Sequence, residues 1–552
     1  MKTIKLLGKE SHFLGNLVEG ETLNVTDTIQ EIEFFSLEKP LENQTRYVIE
    51  ISPDEGNPLN FDGLTIALKI YFKHLQKNLL EFEILLFGFD TKESIFQYSD
   101  YSFFLKCPNV DYKTLNFTNN WEFGETIKPI FKEEAKTALL KVGIKPPTSY
   151  KTHHSIANEW AIFRWSTFLG ISTSLEKEIT NSLYFQYLMT VHEIENVNIQ
   201  KSFLTTKGKI LLIDDEMEKG WEDFFKGLKL PSVNNLKIEA IGEKFKTFDS
   251  QKTVIDFVEQ KVRKSEPDTI ILDLRLLDSD FDEKNPKDLT GYKVLEKIKN
   301  EINKGIQVIL FTASNKIWNY QSLLEVGFDG WVIKESPEQS TDSTYTKNAI
   351  KDLKEQIERC LGRANYLKPA WQNHDDIVEK LEEATKKKKV DKKFSNEIIS
   401  YLKPSSIMYD KATSKEDFAF AYLALFKILE YIANEYTFKD SDSWQITGPQ
   451  PLHHYSWNTT TYHYELVSPS NFHNNTPSLF EKTAALSFQL WGYQQEDVQQ
   501  LYFSIKRRNE FIHPSINALE GRLKDECHKI YTSEGFLLLL QQISRIVLDI
   551  VR

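Results

Sequence analysis

Four short apolar runs in the middle third of the chain constrain its fold more than any other feature. They lie at residues 210–213, 269–272, 308–311 and 331–333, and each is followed by a polar side chain. Because these runs do not alternate between apolar and polar residues, they predict strands that are buried on both faces, as in a parallel sheet. Parallel strands end at a common edge, which is where sites form in open α/β sheets. The sequence therefore predicts a functional site built from the residues that follow the four strands.

The residues at that edge carry carboxylate, hydroxyl and ammonium groups. Asp214 and Asp215 follow the first run, Asp273 the second, Thr312 the third and Lys334 the fourth. Carboxylates that lie together repel each other and stay ionised only beside a cation, and Mg²⁺ prefers such oxygen ligands. An aspartate can act as a nucleophile toward phosphorus while a hydroxyl and an ammonium hold the phosphoryl oxygens. This set of groups predicts phosphoryl chemistry supported by magnesium.

The order Asp-Asp, Asp, Thr-Ala, Lys closely resembles the receiver domain of two-component response regulators, over about residues 207–340. The resemblance implies a doubly wound domain with a five-stranded parallel sheet, and a histidine kinase as the phosphodonor. It also implies roles for single residues: phosphorylation of Asp273, magnesium binding by Asp214, Asp215 and Asp273, phosphoryl binding by Thr312 and Lys334, and an aromatic switch at Trp331.

Two features depart from the family pattern. Residues 278–288 lengthen the loop after Asp273, and Glu335 follows Lys334 where the family usually has proline. The alternative to a receiver is a doubly wound domain whose strand ends are acidic by chance. Five matched roles in the right order favour the receiver.

The length of 552 residues predicts several domains, because a single hydrophobic core does not grow to that size. We expect a multidomain protein of the α/β plus all-α class. Its predicted parts are an N-terminal α/β domain at 1–140, a helical connector at 141–203, the receiver at 204–345, a charged helical linker at 346–404 and a helical bundle at 405–552.

Composition indicates the cellular compartment and limits the possible partners. Cys107, Cys360 and Cys527 are too few and too far apart for a disulfide framework, which predicts a reducing cytoplasm. The first ten residues lack the apolar stretch of a signal peptide, and no run approaches the ~18 apolar residues needed to cross a bilayer. The net charge of −12 disfavours broad nucleic-acid binding, although it is compatible with a local basic patch.

The flanking segments are less specific. Expected strands at 47–51 and 83–88 with an amphipathic helix at 64–75 form a βαβ pattern, which fits a docking or sensing domain and a degenerate relative of the receiver. His154 could accept phosphate on a helix, but a solvated or capping histidine is the commoner case. The lysines at 386–389 could touch RNA, but a solvated linker or helix face is the commoner explanation.

Near the C-terminus, Arg508, Asn509 and His513 form an Arg-Asn-x-x-x-His pattern within a helical segment. The pattern resembles the signature of HEPN-domain proteins, many of which cut RNA without a metal and build the site from two copies. That resemblance implies acid/base chemistry at His513, phosphate binding at Arg508 and an orienting role for Asn509. The same element could instead serve only as a helix end or a dimer contact.

These patterns predict a cytoplasmic response regulator in which phosphorylation of Asp273 controls a C-terminal ribonuclease, acting as a homodimer on RNA. The alternative is a non-catalytic adaptor whose phosphorylation switches dimerisation or partner binding. Sequence-specific DNA binding is disfavoured, because the charge is acidic and we find no helix-turn-helix with a basic recognition helix. Membrane association is not expected.

Overall fold

The computed structural model describes residues 1–8, 20–24, 41–53, 61–115, 123–148, 153–173, 175–195, 197–233, 235–283, 285–313, 326–340, 342–441, 443–448, 450–468, 476–513 and 520–552. Within these ranges the chain forms two parallel sheets, two small antiparallel sheets and a set of helices. None of the helices in the same ranges is long and apolar enough to cross a membrane.

The N-terminal part is a parallel sheet with strand order β2-β1-β3-β4-β5. Its strands are β1 (Lys2–Leu7), β2 (Glu21–Asn24), β3 (Thr45–Glu50), β4 (Phe82–Gly88) and β5 (Val110–Thr114). Its helices are α1 (Asp62–Gln76), α2 (Lys92–Tyr98) and α3 (Lys132–Val142). All six residues of β3 are buried, as expected for a central strand. The expected βαβ unit corresponds to β3, α1 and β4.

The central part repeats the same topology. Its sheet is parallel and its order, β7-β6-β8-β9-β10, follows the same pattern of crossovers as the N-terminal sheet. The strands are β6 (Gly208–Ile213), β7 (Leu236–Ile241), β8 (Thr269–Leu272), β9 (Gln307–Thr312) and β10 (Gly330–Ile333). Its helices are α7 (Trp221–Gly227), α8 (Gln251–Ser265) and α9 (Thr290–Lys297). Along the chain, β7 lies between α7 and α8. The four apolar runs of the sequence coincide with β6, β8, β9 and β10.

The connector also folds onto this sheet. It forms α4 (His153–Leu169), α5 (Leu175–Asn181) and α6 (Leu183–Val191), which precede α7 in the chain. Trp165 of α4 is fully buried and lies against Trp221 of α7 and Phe311 of β9, with ring centroids 5.8 and 6.0 Å away. Because α7 is only seven residues long, α4 supplies much of the apolar cover on that face of the sheet.

Helix α6 links the two α/β parts. Phe185 and Leu188 are buried in the core of the central part, while Leu183 and Tyr187 pack against the core of the N-terminal part. Gln76 of α1 adds hydrogen bonds from its Nε2 to the carbonyl of Gln186 and, at 2.9 Å, to Thr190 Oγ1. The connector therefore makes specific contacts with both sheets.

A single long helix joins the central part to the C-terminal part. Helix α10 (Ser343–Lys386) has 44 residues, which gives a length of about 66 Å at 1.5 Å per residue. Its first half packs against the central sheet through Ile350, Leu353 and Ile357, and its second half belongs to the C-terminal core.

The C-terminal part is a helical bundle with β insertions. Its helices are α11 (Lys392–Lys411), α12 (Lys415–Glu435), α13 (Leu479–Ala485), α14 (Gln495–Ile512), α15 (Gly521–His528) and α16 (Ser533–Val551). Between α12 and α13 lie β11 (Thr437–Asp440), β12 (Ser443–Ile446), β13 (Gln450–Pro451), β14 (His454–Asn458) and β15 (His463–Ser468). The segment 346–404, expected to be a charged linker, lies mainly in α10 and α11, whose apolar residues are buried in the bundle core.

Candidate functional site

Strand register brings the predicted acidic residues together at one edge of the central sheet. Ile213 of β6 pairs with Leu272 of β8, so the next residues, Asp214 and Asp273, leave the two strands side by side. The Asp273 N–H donates to the Ile213 carbonyl at 2.9 Å and continues the ladder by one bond. Carboxylate oxygens of Asp214, Asp215 and Asp273 all lie within 4.8 Å of one another.

Lys334 follows β10 at the same edge of the sheet and contacts two of these carboxylates. Its Nζ donates to Asp214 Oδ2 and to Asp273 Oδ2, each at 2.8 Å. The ammonium is buried and also lies 4.8 Å from the centre of the Phe311 ring. The two carboxylates raise the pKa of Lys334 although burial opposes them, so this lysine is charged at neutral pH.

Burial and repulsion between carboxylates raise the pKa values of the two adjacent acids, Asp214 and Asp215. Burial, followed by repulsion from Asp214 and Asp273, raises the pKa of Asp215 to about 9. Burial also raises the pKa of Asp214, although Lys334 opposes this effect. A divalent ion beside these oxygens would favour their charged forms, and three clustered carboxylates are the donor set that Mg²⁺ takes. The residues present therefore fit a magnesium site.

Thr312, predicted to bind the phosphoryl group, and Trp331, predicted as the aromatic switch, occupy different positions. Thr312 is buried at the end of β9 and lines the same cavity as Asp273 and Lys334, whose N–H donates to the Thr312 carbonyl at 2.8 Å. Trp331 is 46% exposed and packs edge-on against Phe328, with centroids 5.9 Å apart. It belongs to the edge strand β10 and is not among the residues that line the cavity.

The cavity beside Asp273 is small and has a wall that sequence reasoning missed. Its volume is about 20 Å³. Its lining includes four of the expected site residues, Asp215, Asp273, Thr312 and Lys334, together with Ser155 and Asn158, which belong to α4 of the connector. One signal in the sequence points to this packing: α4 is apolar around most of its circumference, as expected for a helix buried on several sides. His154 lies in the first turn of α4, and its side chain falls outside the described part of the structure.

Asn158 holds two neighbours of the site. Its Nδ2 donates to Glu216 Oε2 at 2.7 Å, and its Oδ1 accepts from Trp221 Nε1 at 2.7 Å. Glu216 follows the acid pair directly in the chain, and the Trp221 ring lies 5.4 Å from Lys334 Nζ. Both polar ends of Asn158 are thus satisfied by residues adjacent to the site.

Glu335, the departure from the family pattern, is a buried hydrogen-bond centre. Its Oε2 accepts from Trp165 Nε1 at 2.8 Å, and its Oε1 accepts from Ser340 Oγ and, at 2.9 Å, from Thr346 Oγ1. The Arg164 guanidinium lies 3.8 Å away. The residue after Lys334 is therefore bonded to both α4 and the first turn of α10.

The N-terminal sheet contains a counterpart of this edge, and two glycines identify the match. Gly291 is the second residue of α9, and a Cβ there would lie 2.3 Å from the Asp273 carbonyl oxygen. Gly63 is the second residue of α1, and a Cβ there would lie 2.1 Å from the Glu50 carbonyl oxygen. Glu50 therefore occupies the position that Asp273 has in the central sheet.

Strand pairing extends the match to the other site positions. By register, Leu7 and Gly8 correspond to Asp214 and Asp215, and Glu50 corresponds to Asp273. Gly88 corresponds to Thr312, and Leu115 corresponds to Lys334. Leu7, Phe87 and Leu115 pack together in an apolar cluster. The Gly8 N–H donates to Glu50 Oε2 at 2.8 Å. This edge keeps one acid at the acceptor position and replaces the acid pair and the lysine with apolar or small residues.

The C-terminal candidate residues lie on the last turns of α14. The guanidinium of Arg508 donates to Glu430 Oε1 of α12 at 3.0 Å and to Asn509 Oδ1 at 3.1 Å. His513 caps the helix and is exposed. The structure thus brings Arg508 and Asn509 into contact and leaves His513 in solvent, with Arg508 already paired to a carboxylate.

Arg507, which sequence reasoning treated only as part of a basic patch, is fully buried. Its guanidinium pairs with the Glu526 side chain, and its Nε donates to the Glu526 carbonyl at 2.9 Å. It therefore anchors α15 to α14 within one copy of the chain. This removes it from the exposed basic surface.

No protein-family model matches the chain, and no curated protein matches it. Several solved structures are similar in part. A putative response regulator from Chloroflexus aurantiacus J-10-fl is 15% identical and covers 27% of this chain and 98% of its own, with a TM-score of 0.19. A LuxR-family two-component response regulator from Aurantimonas sp. SI85-9A1 is 17% identical and covers 27% and 86%, with a TM-score of 0.18. TM-scores this low assign no function to the chain, so any assignment rests on the geometry of its site.

Proposed function

We propose that the chain is a response regulator whose central part accepts a phosphoryl group on Asp273. The observation that carries this proposal is the buried Lys334 ammonium bonded to both Asp214 and Asp273 at the carboxyl edge of a parallel sheet. Thr312 and Asp215 line the same cavity. The combination provides a nucleophile, a metal-binding pair, and a hydroxyl and an ammonium for phosphoryl oxygens.

In the proposed reaction an Asp273 carboxylate oxygen forms a bond to the phosphorus of a phosphohistidine donor. The P–N bond breaks, and the donor imidazole keeps the electron pair and takes up a proton. Magnesium, held by Asp214, Asp215 and Asp273, would supply positive charge for the phosphoryl oxygens. The Lys334 ammonium exchanges its bond to Asp273 for one to the new phosphoryl group, and the Thr312 hydroxyl donates to another oxygen.

Binding of beryllofluoride, a phosphoryl mimic, tests this proposal in the intact protein by fluorine NMR. We expect a bound signal in the presence of Mg²⁺ for the wild type and for the control Asp282→Asn, which changes an exposed acid of the same loop. Asp273→Asn should give no bound signal. A signal of equal intensity in Asp273→Asn would refute the assignment of the acceptor.

For the output we propose metal-independent RNA cleavage by the C-terminal bundle of a homodimer. Three features support the proposal. Arg508 and His513 share one end of α14, and Asn509 orients the guanidinium of Arg508. Two exposed apolar residues are available for a dimer contact, Ile512 on α14 and Phe420 on the neighbouring helix α12. Cleavage by the RNA 2′-hydroxyl needs a base and a cation near phosphate, which His513 and Arg508 provide. Arg508 must first leave Glu430.

Incubation of the purified protein with cellular RNA, with and without beryllofluoride, separates this output from the adaptor alternative. Cleavage lost in His513→Ala and kept in the exposed control His463→Ala supports the ribonuclease. Intact RNA in both states, together with a beryllofluoride-dependent change of oligomeric state, supports an adaptor.

For the N-terminal part we propose a degenerate receiver-like domain that does not take a phosphoryl group. The shared strand order and the match of Glu50 to Asp273 support this interpretation. Leu7 and Leu115 stand where an acid and the lysine would be needed. Its role would then be docking or sensing.

A further inference from the structure

The first turns of α4 form one wall of the acceptor cavity. Ser155 and Asn158 line it together with Asp273 and Lys334, and these two α4 residues are only 9% and 3% exposed. They come from the connector, outside the sequence that resembles a receiver. We call these two residues the lid.

The cavity beside the lid is narrow for a phosphoryl group. Its volume of about 20 Å³ holds roughly one water molecule, since one water needs about 10–15 Å³ measured in this way, although the cavity opens to solvent and 14% of the Asp273 side chain is exposed. A phosphoryl group adds one phosphorus and three oxygen atoms to Asp273. Such a group would therefore contact the walls of the cavity, including the lid.

The opposite wall is the less movable one. It belongs to the long loop after Asp273, which the buried carboxylate of Asp280 fixes by accepting the N–H groups of Leu276, Leu277 and Thr290. The Thr290 hydroxyl also donates to Asp280, at 2.9 Å. The strands hold Asp273 and Lys334. The start of α4 is a helix end, and helix ends open locally more easily than the buried interior around Trp160 and Trp165, so this is the wall that can move.

The lid is tied to the chain on both sides of the site. Asn158 bonds to Glu216, next to Asp215, and Trp165 of the same helix bonds to Glu335, next to Lys334. A movement of α4 therefore acts on the backbone beside the metal-binding pair and beside the lysine. Conversely, a rearrangement of Lys334 toward a phosphoryl group acts on α4.

We infer that the lid restricts the approach of phosphodonors and water to Asp273, so that Ser155 and Asn158 determine which donors reach the acceptor. This inference rests on the proposed function. With the lid placed as in the structure, small donors such as acetyl phosphate react slowly. The acyl phosphate, once formed, also hydrolyses slowly because the lid limits the access of water. A donor protein would have to displace the start of α4.

The test compares rates of acetyl phosphate labelling and of acyl phosphate hydrolysis, followed on phosphate-affinity gels with Mg²⁺ present. The variants are Asn158→Ala and Ser155→Gly, which shorten the lid. Thr167→Ala on the same helix is the matched control, because Thr167 bonds to the Phe163 carbonyl and does not line the cavity. Near-UV circular dichroism verifies the fold, and Ser155→Gly decides the result if Asn158→Ala fails to fold.

We expect both lid variants to label and to hydrolyse at least tenfold faster than the wild type, and the control to match the wild type. Equal rates in wild type and folded lid variants, with Asp273 labelled in all, would overturn the lid and leave the proposed function intact. Absence of label in every folded protein would instead remove the proposed function, and the lid with it.

Discussion

Replacing Glu335 with alanine tests how strongly the connector is built into the central core. Glu335 is completely buried and accepts hydrogen bonds from Trp165, Ser340 and Thr346, with the Arg164 guanidinium 3.8 Å away. The alanine variant leaves these donors and the buried cation without their acceptor. This residue therefore stabilises the packing of α4 and α10 on the sheet.

The expected loss follows from those contacts. Breaking a buried ion pair by removal of one partner costs about 3–5 kcal/mol, and a single buried donor without a partner costs about 1–3 kcal/mol. Since the donors share one carboxylate, we take the loss as about 4 kcal/mol in the free energy of opening. Glu335→Gln keeps one carbonyl acceptor but loses the charge, so about half of that loss is expected.

Hydrogen exchange measured by mass spectrometry gives the assay in the full chain. A loss of 4 kcal/mol corresponds to roughly 1,000-fold faster exchange of the slowest amides, at 1.4 kcal/mol for each factor of ten. We expect this change in the peptides of both α4 and β8. Glu355→Ala, which removes a 63% exposed glutamate on α10, is the control and should change exchange by less than about threefold.

Two results would refute this reasoning. A change below about fivefold in Glu335→Ala would mean that the buried contacts do not stabilise the core. Faster exchange confined to α4, with β8 unchanged, would mean that α4 is a peripheral helix rather than part of the cover of the sheet.

Three further predictions concern other parts of the chain. Asp215→Asn should weaken Mn²⁺ binding by at least about tenfold, because it removes a charged ligand. Binding is measured by electron paramagnetic resonance, and the control Asp256→Asn, which changes an exposed acid, should bind Mn²⁺ like the wild type. Burial lowers the pKa of His74 to about 4, so the unfolded state takes up a proton at a higher pH than the folded state does. The N-terminal part should therefore lose about 3 kcal/mol of stability, measured by urea denaturation, as the pH falls from about 6.5 to 4. Unchanged stability over that pH range would contradict the lowered pKa of His74. Arg507→Ala should lower the free energy of unfolding of the C-terminal bundle by about 3–5 kcal/mol, and Arg508→Ala should lower it by less than about 1 kcal/mol, as measured by urea denaturation. The reason is that Arg507 is fully buried, whereas Arg508 is partly exposed. Equal losses in the two variants would contradict this ranking.

The central sheet and its edge were predictable because their determinants are local. Unbroken apolar runs specify buried parallel strands, and the residue after each run must leave the strand at the carboxyl edge. Asp214, Asp273 and Lys334 meet for that reason alone.

The lid and the Glu335 contacts were not predictable in the same way. They join α4 to residues between 58 and 170 positions later, and no local pattern specifies which buried helix covers which sheet. The segment 346–404 illustrates a related difficulty: its many charges suggested a linker, but Leu367, Ile377 and Leu381 recur on one helical face and are buried. Spacing would have been a better guide there than composition.

The proposed function depends above all on phosphorylation of Asp273. The most direct measurement treats the intact protein with acetyl phosphate and Mg²⁺ over an extended time course, reduces any acyl phosphate with borohydride, and maps the product by peptide mass spectrometry. The account predicts conversion of Asp273 to homoserine, abolished by a chelator, with Glu50 unchanged. An unmodified Asp273 in a folded protein, beside a known receiver that labels under the same conditions, would contradict it.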